Sequence, residues 1–263
     1  MRKEVLAGRM IGGVGWSSSV VRNFFGGRDF YGIPSGAVLK DGDPCGRIVH
    51  DYGYHPKDSY SVNSTHSCTS VKYLTTQEVV SILNEVTWFI KADLKSGFRQ
   101  FGTHPVDWRF QVYCIGPEEH YIDLACPFGK TNSPLEFCPP VALFARSASI
   151  RYSSIFRTAA PILGTHVDDI FGGFANNQSY HRSWHFRDWM TKLGSSLTMI
   201  FNLKVGKTPL PAKEQIILGR LYNSTSRRIT TAAPKREKYL LRLRICVPRP
   251  QRQERCWRSF MGT

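Results

Sequence analysis

The densest cluster of chemically capable side chains is GTHVDDIFGGF (164–174), where two adjacent carboxylates, Asp168 and Asp169, stand between apolar runs. A third, Asp93, closes TWFIKAD (87–93), whose β-branched and aromatic residues predict a buried strand. If the two segments are neighbours in one sheet, three carboxylates converge at one edge. Such a cluster repels itself and becomes tolerable when divalent cations neutralise it, and hard oxygen ligands of this kind select Mg²⁺ or Mn²⁺. Two such ions about 3.5–4 Å apart activate a 3′-hydroxyl and stabilise both the attacking and the leaving oxygen in phosphoryl transfer. Taken alone, an Asp-Asp pair is more often a solvated turn. The companions along the chain decide between these readings.

Two further patterns do not lead to chemistry. His181 and His185 have helical metal-ligand spacing, but no glutamate lies between them as in a metalloprotease, and an exposed pair is expected. Gly12-Gly13-x-Gly15 lacks the Lys-Ser/Thr of a phosphate-binding loop, and a flexible N-terminal turn is expected there. The seven cysteines form no Cys-x-x-Cys pair and read as reduced intracellular thiols.

The elements that must position the carboxylates are legible in outline. Thr75-Thr-Gln-Glu78 is a capping box, after which Val79, Ile82, Leu83 and Val86 share one helical face and lead into the Asp93 strand. RFQVYCI (109–115) and HYIDL (120–124) flank a Gly-Pro turn and predict a hairpin. A helix is expected from Ser133-Pro134 that kinks or starts again at Pro139-Pro140, because an interior proline costs about 3 kcal/mol. A second hairpin carries Asp168-Asp169 at its crest. It is followed by a helix with Phe186, Trp189, Met190 and Leu193 on one face, closed by Gly194. Strands are expected near 215–222 and 228–231, and a basic arm begins at Pro234. RIVHDYGY (47–54) reads as a strand leaving a loop, and the glycine-rich stretch before it as irregular structure with short strands. Strands and helices are mixed without strict alternation, which predicts an α+β body: an antiparallel sheet with helices packed on one face.

The chain's 263 residues suffice for one large domain or two small ones, and its 41% hydrophobic content is that of a globular protein. A formal net charge of +15 makes a polyanion the natural partner, since Lys and Arg displace counterions from phosphates. No run of about 18 apolar residues favours a membrane. The N-terminus MRKEVLAGRMIGG lacks the apolar core of a signal peptide, so an intracellular site, cytoplasmic or nuclear, is expected.

Five pieces in order, GRIVHDYGYHPKDSYSVN preceded by Lys40, FIKADLKSGFRQFGTHPVDW, CPFGKTNSPLEF, HVDD and KVGKTPLPAKEQIILGRLYNS, resemble the reverse transcriptases of retroelements, closest to DIRS-like and gypsy-like retrotransposons. The resemblance implies a right-hand polymerase with fingers and palm over 31–232, an irregular segment before it (1–30), and the basic start of a thumb or connection after it (233–263). It implies RNA-directed DNA synthesis, with a template-primer duplex and dNTP as partners and two Mg²⁺ or Mn²⁺ ions as cofactors. Asp93, Asp168 and Asp169 would be the metal carboxylates, with the Leu94 carbonyl beside the same ion. Lys207 would protonate the leaving pyrophosphate, as an ammonium near a β-phosphate suits a general acid. Lys40 and Arg47 would grip the triphosphate, a forked guanidinium matching phosphate oxygens. Phe98 would screen out a 2′-hydroxyl, and Phe128 and Gly129 would lie against the nucleotide. His166, where the family usually has Tyr, and the hairpin around Leu218-Gly219 would hold the primer or template. The Pro139-Pro140 interruption and His166 depart from the family pattern. They keep two alternatives in play: an inactive remnant that only binds nucleic acid, and a metal-dependent nuclease.

Overall fold

The computed structural model describes residues 1–40, 43–55, 57, 59–65, 71–175, 180–204 and 206–246, and of residues 39, 40, 43–47, 234 and 241–246 the backbone alone. In chain order the elements are α1 (Arg2–Leu6), β1 (Met10–Val14), α2 (Ser18–Phe24), β2 (Gly32–Lys40), β3 (Asp43–His50), α3 (Thr76–Asn84) and β4 (Val86–Asp93). Then come β5 (Val112–Gly116), β6 (Glu119–Asp123), α4 (Ser133–Phe156), β7 (Ile162–His166), β8 (Asp169–Ala175) and α5 (Tyr180–Ser196). The described chain closes with β9 (Glu214–Ile217), β10 (Arg220–Asn223), β11 (Arg228–Thr231) and α6 (Ala233–Cys246). The result is a mixed α+β fold.

The strands form three sheets rather than the single antiparallel sheet expected: β1-β6-β5-β2-β3, β11-β10-β9 and β4-β8-β7. In the first, β2 runs parallel to β5. The third positions the carboxylates, and both of its faces are buried. Ile90 and Ala92 of β4, with Ile170 and Phe174 of β8, pack against Phe137, Val141, Phe144 and Ala148 of α4 and Phe186 and Met190 of α5. On the opposite face Phe89 and Phe171 meet Val79 and Leu83 of α3 and Ile217 and Tyr222 of the small hairpin. Helices on one face alone would have left those two rings in water, and each such side chain gains about 1.5–3 kcal/mol on burial.

Local signals set several boundaries. Thr75 caps α3 through its hydroxyl while Glu78 returns to the Thr75 N–H at 2.7 Å, the expected reciprocal box. The helix does not start again at Pro139-Pro140: α4 runs unbroken for 24 residues. The two missing N–H groups leave the carbonyls of Leu135 and Glu136 without their helical donors. Glu136 and Pro139 are exposed, so water can take their place. Gly194 does not close α5, which continues to Ser196. Gly194 is buried inside the helix, and a side chain there would collide with the Phe201 ring.

The N-terminal stretch carries the expected short strands and also two short helices, α1 and α2. β1 is an edge strand paired with β6 along all five of its residues, Gly12 opposite Tyr121 and Gly13 opposite His120. Ladder hydrogen bonds need no side chain, so glycines that read as a turn are recruited as strand.

A polar chain crosses the interior of this half. Arg99 donates to Asp123 at 2.6 Å and to Glu4 of α1 at 3.0 Å. Tyr113 donates to the same Asp123 oxygen at 2.7 Å, and its hydroxyl meets that of Tyr52 at 2.9 Å. The His50 ring stacks on Tyr113 with centroids 3.5 Å apart, and its Nδ1 meets the Ser35 hydroxyl at 2.8 Å.

Burial, reinforced by the Arg99 charge, lowers the His50 pKa from 6.5 to about 4. Between those values the unfolded chain takes up a proton that the folded chain refuses, so stability is lost as pH falls through this window. Thermal unfolding between pH 7 and pH 4.5 is expected to show a smaller drop in Tm for His50→Gln than for the wild type. Equal drops would place the acid sensitivity elsewhere.

Candidate active site

The register of β4 and β8 sets Asp93 directly opposite Asp169. β7 and β8 are joined by a two-residue turn, Val167-Asp168, with His166 paired to Asp169. The crest of the hairpin is thus one residue earlier than expected, and Asp169 is the first residue of β8. The Asp168 carbonyl accepts the Leu94 N–H at 3.0 Å, tying the turn to the end of β4. Val167 has φ 54°. For a β-branched residue that conformation costs roughly 1–2 kcal/mol, and strain of this kind persists where surrounding packing enforces it. Part of that enforcement comes from Gly97, where a Cβ would lie 2.9 Å from both the Asp168 Cβ and the Phe137 ring.

Asp93 is almost wholly buried, at 6% exposure. One of its oxygens accepts from Lys207 Nζ and the other from Asn202 Nδ2, both at 3.3 Å. Its main-chain N–H donates to the Thr208 hydroxyl at 3.1 Å. Asp169 Oδ1 lies 3.5 Å from Lys91 Nζ, yet this buried oxygen has no hydrogen-bond partner. Burial raises the pKa of Asp168 and of Asp169 and the Asp93 charge adds to both; Lys91 acts in the other direction on both, and Lys207 on Asp168. A cation would relieve the desolvation and repulsion together, and carboxylate oxygens are hard donors of the kind that Mg²⁺ or Mn²⁺ takes. Among the described residues no three His, Cys, Asp or Glu side chains are closed into a metal-binding group. The ammonium groups of Lys207 and Lys91 lie against the carboxylates instead.

Phe98 is 8% exposed, stacked on Phe137 with centroids 4.4 Å apart and meeting Phe128 at 5.1 Å. Phe128 itself is open to solvent. Phe98 is therefore both a core ring and the floor beneath an exposed one. Gly129 has φ 94°, and a Cβ there would come within 3.3 Å of the His50 carbonyl. Asn63 clips this loop, donating to the Gly129 carbonyl at 3.0 Å and accepting the Thr131 N–H at 2.9 Å. The Leu94 side chain is buried in the core. His166 stacks at a tilt on Tyr73 with centroids 5.2 Å apart, and its Nδ1 is buried without a hydrogen-bond partner. Leu218 and Gly219, at φ 48° and 75°, make the turn between β9 and β10. His166, Leu218, Gly219 and Lys235 line one cavity of about 560 Å³. The side chains of Lys40 and Arg47 lie outside the described residues; their backbones belong to β2 and β3.

Sequence reading missed Asn63, Asn202, Thr208 and the Arg99–Asp123 pair. Arg99 and Thr208 sit inside quoted motifs, but their partners are distant in the chain. The histidines at 181 and 185 are both exposed on α5, and His185 Nδ1 meets the Tyr152 hydroxyl at 2.9 Å. Cys114, Cys126 and Cys138 are free thiols.

Comparison with solved structures finds a foamy viral protease-reverse transcriptase in complex with double-stranded DNA, at TM-score 0.63 and 16% identity over 89% of this chain and 34% of that one. A second, also with double-stranded DNA, has TM-score 0.59 and 17% identity over 90% and 41% of the two chains. A third, in complex with an RNA/DNA hybrid, has TM-score 0.58 and 17% identity over 83% and 27%. The fold is reverse-transcriptase-like. The chain spans about a third of the length of these neighbours, between 27% and 41%. No protein-family model matches it, and no curated protein matches it in sequence. No described helix is long and apolar enough to cross a membrane.

Two outcomes are expected of this site. Gly97→Ala forces Asp168 and Phe137 apart and destabilises the fold by about 1–3 kcal/mol in urea unfolding; an unchanged midpoint would mean the contact yields freely. Asp169→Asn removes a desolvated charge, so in chelator its Tm exceeds that of the wild type. Millimolar Mg²⁺ then raises the wild-type Tm more than the variant's, and an equal rise in both would separate Asp169 from ion binding.

Proposed function

We propose that the chain is an RNA-directed DNA polymerase domain of a retroelement, composed of fingers, palm and the start of a thumb. It adds dNTP to a primer 3′-hydroxyl. The supporting observation is the pairing of Asp93 with Asp169 across β4 and β8, with Asp168 fixed to Leu94 at the same end of the sheet. The reverse-transcriptase-like fold and a net charge of +15 support it further.

In this reading Asp93 and Asp168 hold Mg²⁺ or Mn²⁺, with the Leu94 carbonyl adjacent and Asp169 in support. When bound, two such ions supply an activated hydroxyl and charge neutralisation at the leaving oxygen. Arg47 and Lys40 grip the triphosphate. Phe98, backed by Phe137, presents a wall to the sugar, while Phe128 and Gly129 lie against the nucleotide. Lys207 gives its proton to the departing pyrophosphate, for which it must leave Asp93. His166 and the Leu218-Gly219 turn line the cavity that receives the primer end. Template and primer are held through phosphates and duplex shape, since any sequence must be copied.

A second reading, a remnant that binds nucleic acid without catalysis, draws on the lysines seated on the carboxylates and on the lack of a closed three-ligand group among the described residues. A nuclease using the same acids would leave Phe98, Arg47 and Lys40 without a task.

Primer extension with Mg²⁺ on RNA and DNA templates discriminates among the three. The wild-type chain is expected to extend and Asp168→Asn to fall to background. Binding without extension supports the remnant, and strand cleavage without added nucleotides supports the nuclease.

A further inference from the structure

Lys207 stands in a stretch with no helix or strand of its own, yet its ammonium reaches Asp93. What places it is visible along the outer edge of β4, the side away from β8. Phe89 exchanges both main-chain hydrogen bonds with Ala212, at 2.8 and 3.1 Å. Further along, Asn202 N–H donates to the Asp93 carbonyl at 2.8 Å and Lys95 N–H to the Ile200 carbonyl at 2.9 Å. The 200–202 and 208–212 segments therefore cover this edge from both ends. Between them the Asp93 N–H takes a side-chain acceptor, the Thr208 hydroxyl, in place of a ladder carbonyl.

Thr208 is fully buried, at 0% exposure, and every polar group it carries has a partner. Its hydroxyl accepts from Asp93. Its carbonyl accepts Arg187 Nη2 from α5 at 2.5 Å, and its N–H donates to the Lys204 carbonyl at 2.9 Å. The Lys207 N–H donates to the same Lys204 carbonyl at 2.8 Å, so Lys207 and Thr208 share one tight turn. A residue pinned on three sides immediately after Lys207 leaves that lysine little choice of where its stem begins.

We propose that Thr208 and Arg187 form a latch between β4 and α5 that sets the position of Lys207 at the carboxylate end of the sheet. They are positioning residues: neither touches substrate in this arrangement, and both act through Lys207 and the main chain of Asp93. The catalytic consequence rests on the polymerase reading, whereas the latch itself is a property of the folded chain and is measured without nucleotide.

The test compares Thr208→Val, which keeps the shape and deletes the hydroxyl, with Thr208→Ser, which keeps the hydroxyl, and Arg187→Met. Hydrogen exchange of the metal-free protein is followed at the Asp93 amide, and acylation of Lys207 by an amine-reactive reagent is followed by mass spectrometry. In Thr208→Val the Asp93 amide is expected to exchange roughly tenfold faster, the scale of one lost hydrogen bond, with Ile90 and Ala92 unchanged. Acylation of Lys207 rises in Thr208→Val and in Arg187→Met, and Thr208→Ser restores the wild-type values of both readouts. Should Thr208→Val fail to fold, Arg187→Met and the acylation rate decide. An Asp93 amide as protected in a folded Thr208→Val as in the wild type, or Lys207 acylation unmoved in Arg187→Met, overturns the latch. If the wild type extends primers, Thr208→Val is further expected to lower kcat with KM for dNTP unchanged, and Thr208→Ser to recover it. If the wild type does not extend, the polymerase reading falls while exchange and acylation still judge the latch.

Discussion

Three carboxylates at one end of a three-stranded sheet are a source of repulsion that the rest of the molecule is arranged to contain. The β4–β8 register brings Asp93 and Asp169 together, and the turn at Val167 adds Asp168. Containment is partly electrostatic, through Lys91 and Lys207, and partly mechanical. Two apolar faces clamp the sheet between α4 and α5 on one side and α3 with the small hairpin on the other. Without that clamp a β-branched residue at φ 54° would relax, and the acids would separate. The apolar packing therefore lies directly behind the residues whose charges repel one another.

The second organising feature is how the nucleotide-facing residues of the proposed site are backed. Phe98 owes its position to Phe137 beneath it, Phe128 to Phe98, and Gly129 to the clip made by Asn63. Each candidate contact thus rests on a residue one layer deeper, which the motifs contain without showing what it supports. Thr208 behind Lys207 repeats the arrangement on the opposite side of Asp93.

How much of this could be read in the sequence depended on the range of the interaction. The Thr75 cap, the hairpin at Gly116-Pro117 and the turn carrying Asp168 are local, and propensity and pattern expressed them. Order along the chain pointed to the acids, because Asp93 ends an apolar strand and Asp168-Asp169 stand between two apolar runs. What stayed hidden was set by partners far away. Gly12 and Gly13 become strand only because β6 offers a ladder, and α4 passes through Pro139-Pro140 because packing on both sides of the pair outweighs the lost hydrogen bonds. Gly194 is helix because Phe201 fills the space that a side chain would need. Thr208 and Asp93 are 115 positions apart, and Arg99 and Glu4 are 95. Pairings of that separation leave no periodic trace.

The link between Arg99 and Glu4 bears on how this unit can be cut. Arg99 directly follows the ring beneath the exposed aromatic, and its guanidinium is held by Asp123 from one side and by α1 from the other. Excising the first nine residues would remove Glu4, one of the two carboxylates that hold this buried guanidinium. The amino-terminal helix thus acts as a counter-ion for a residue 95 positions away, and a trimmed version of the domain would leave Arg99 to Asp123 alone.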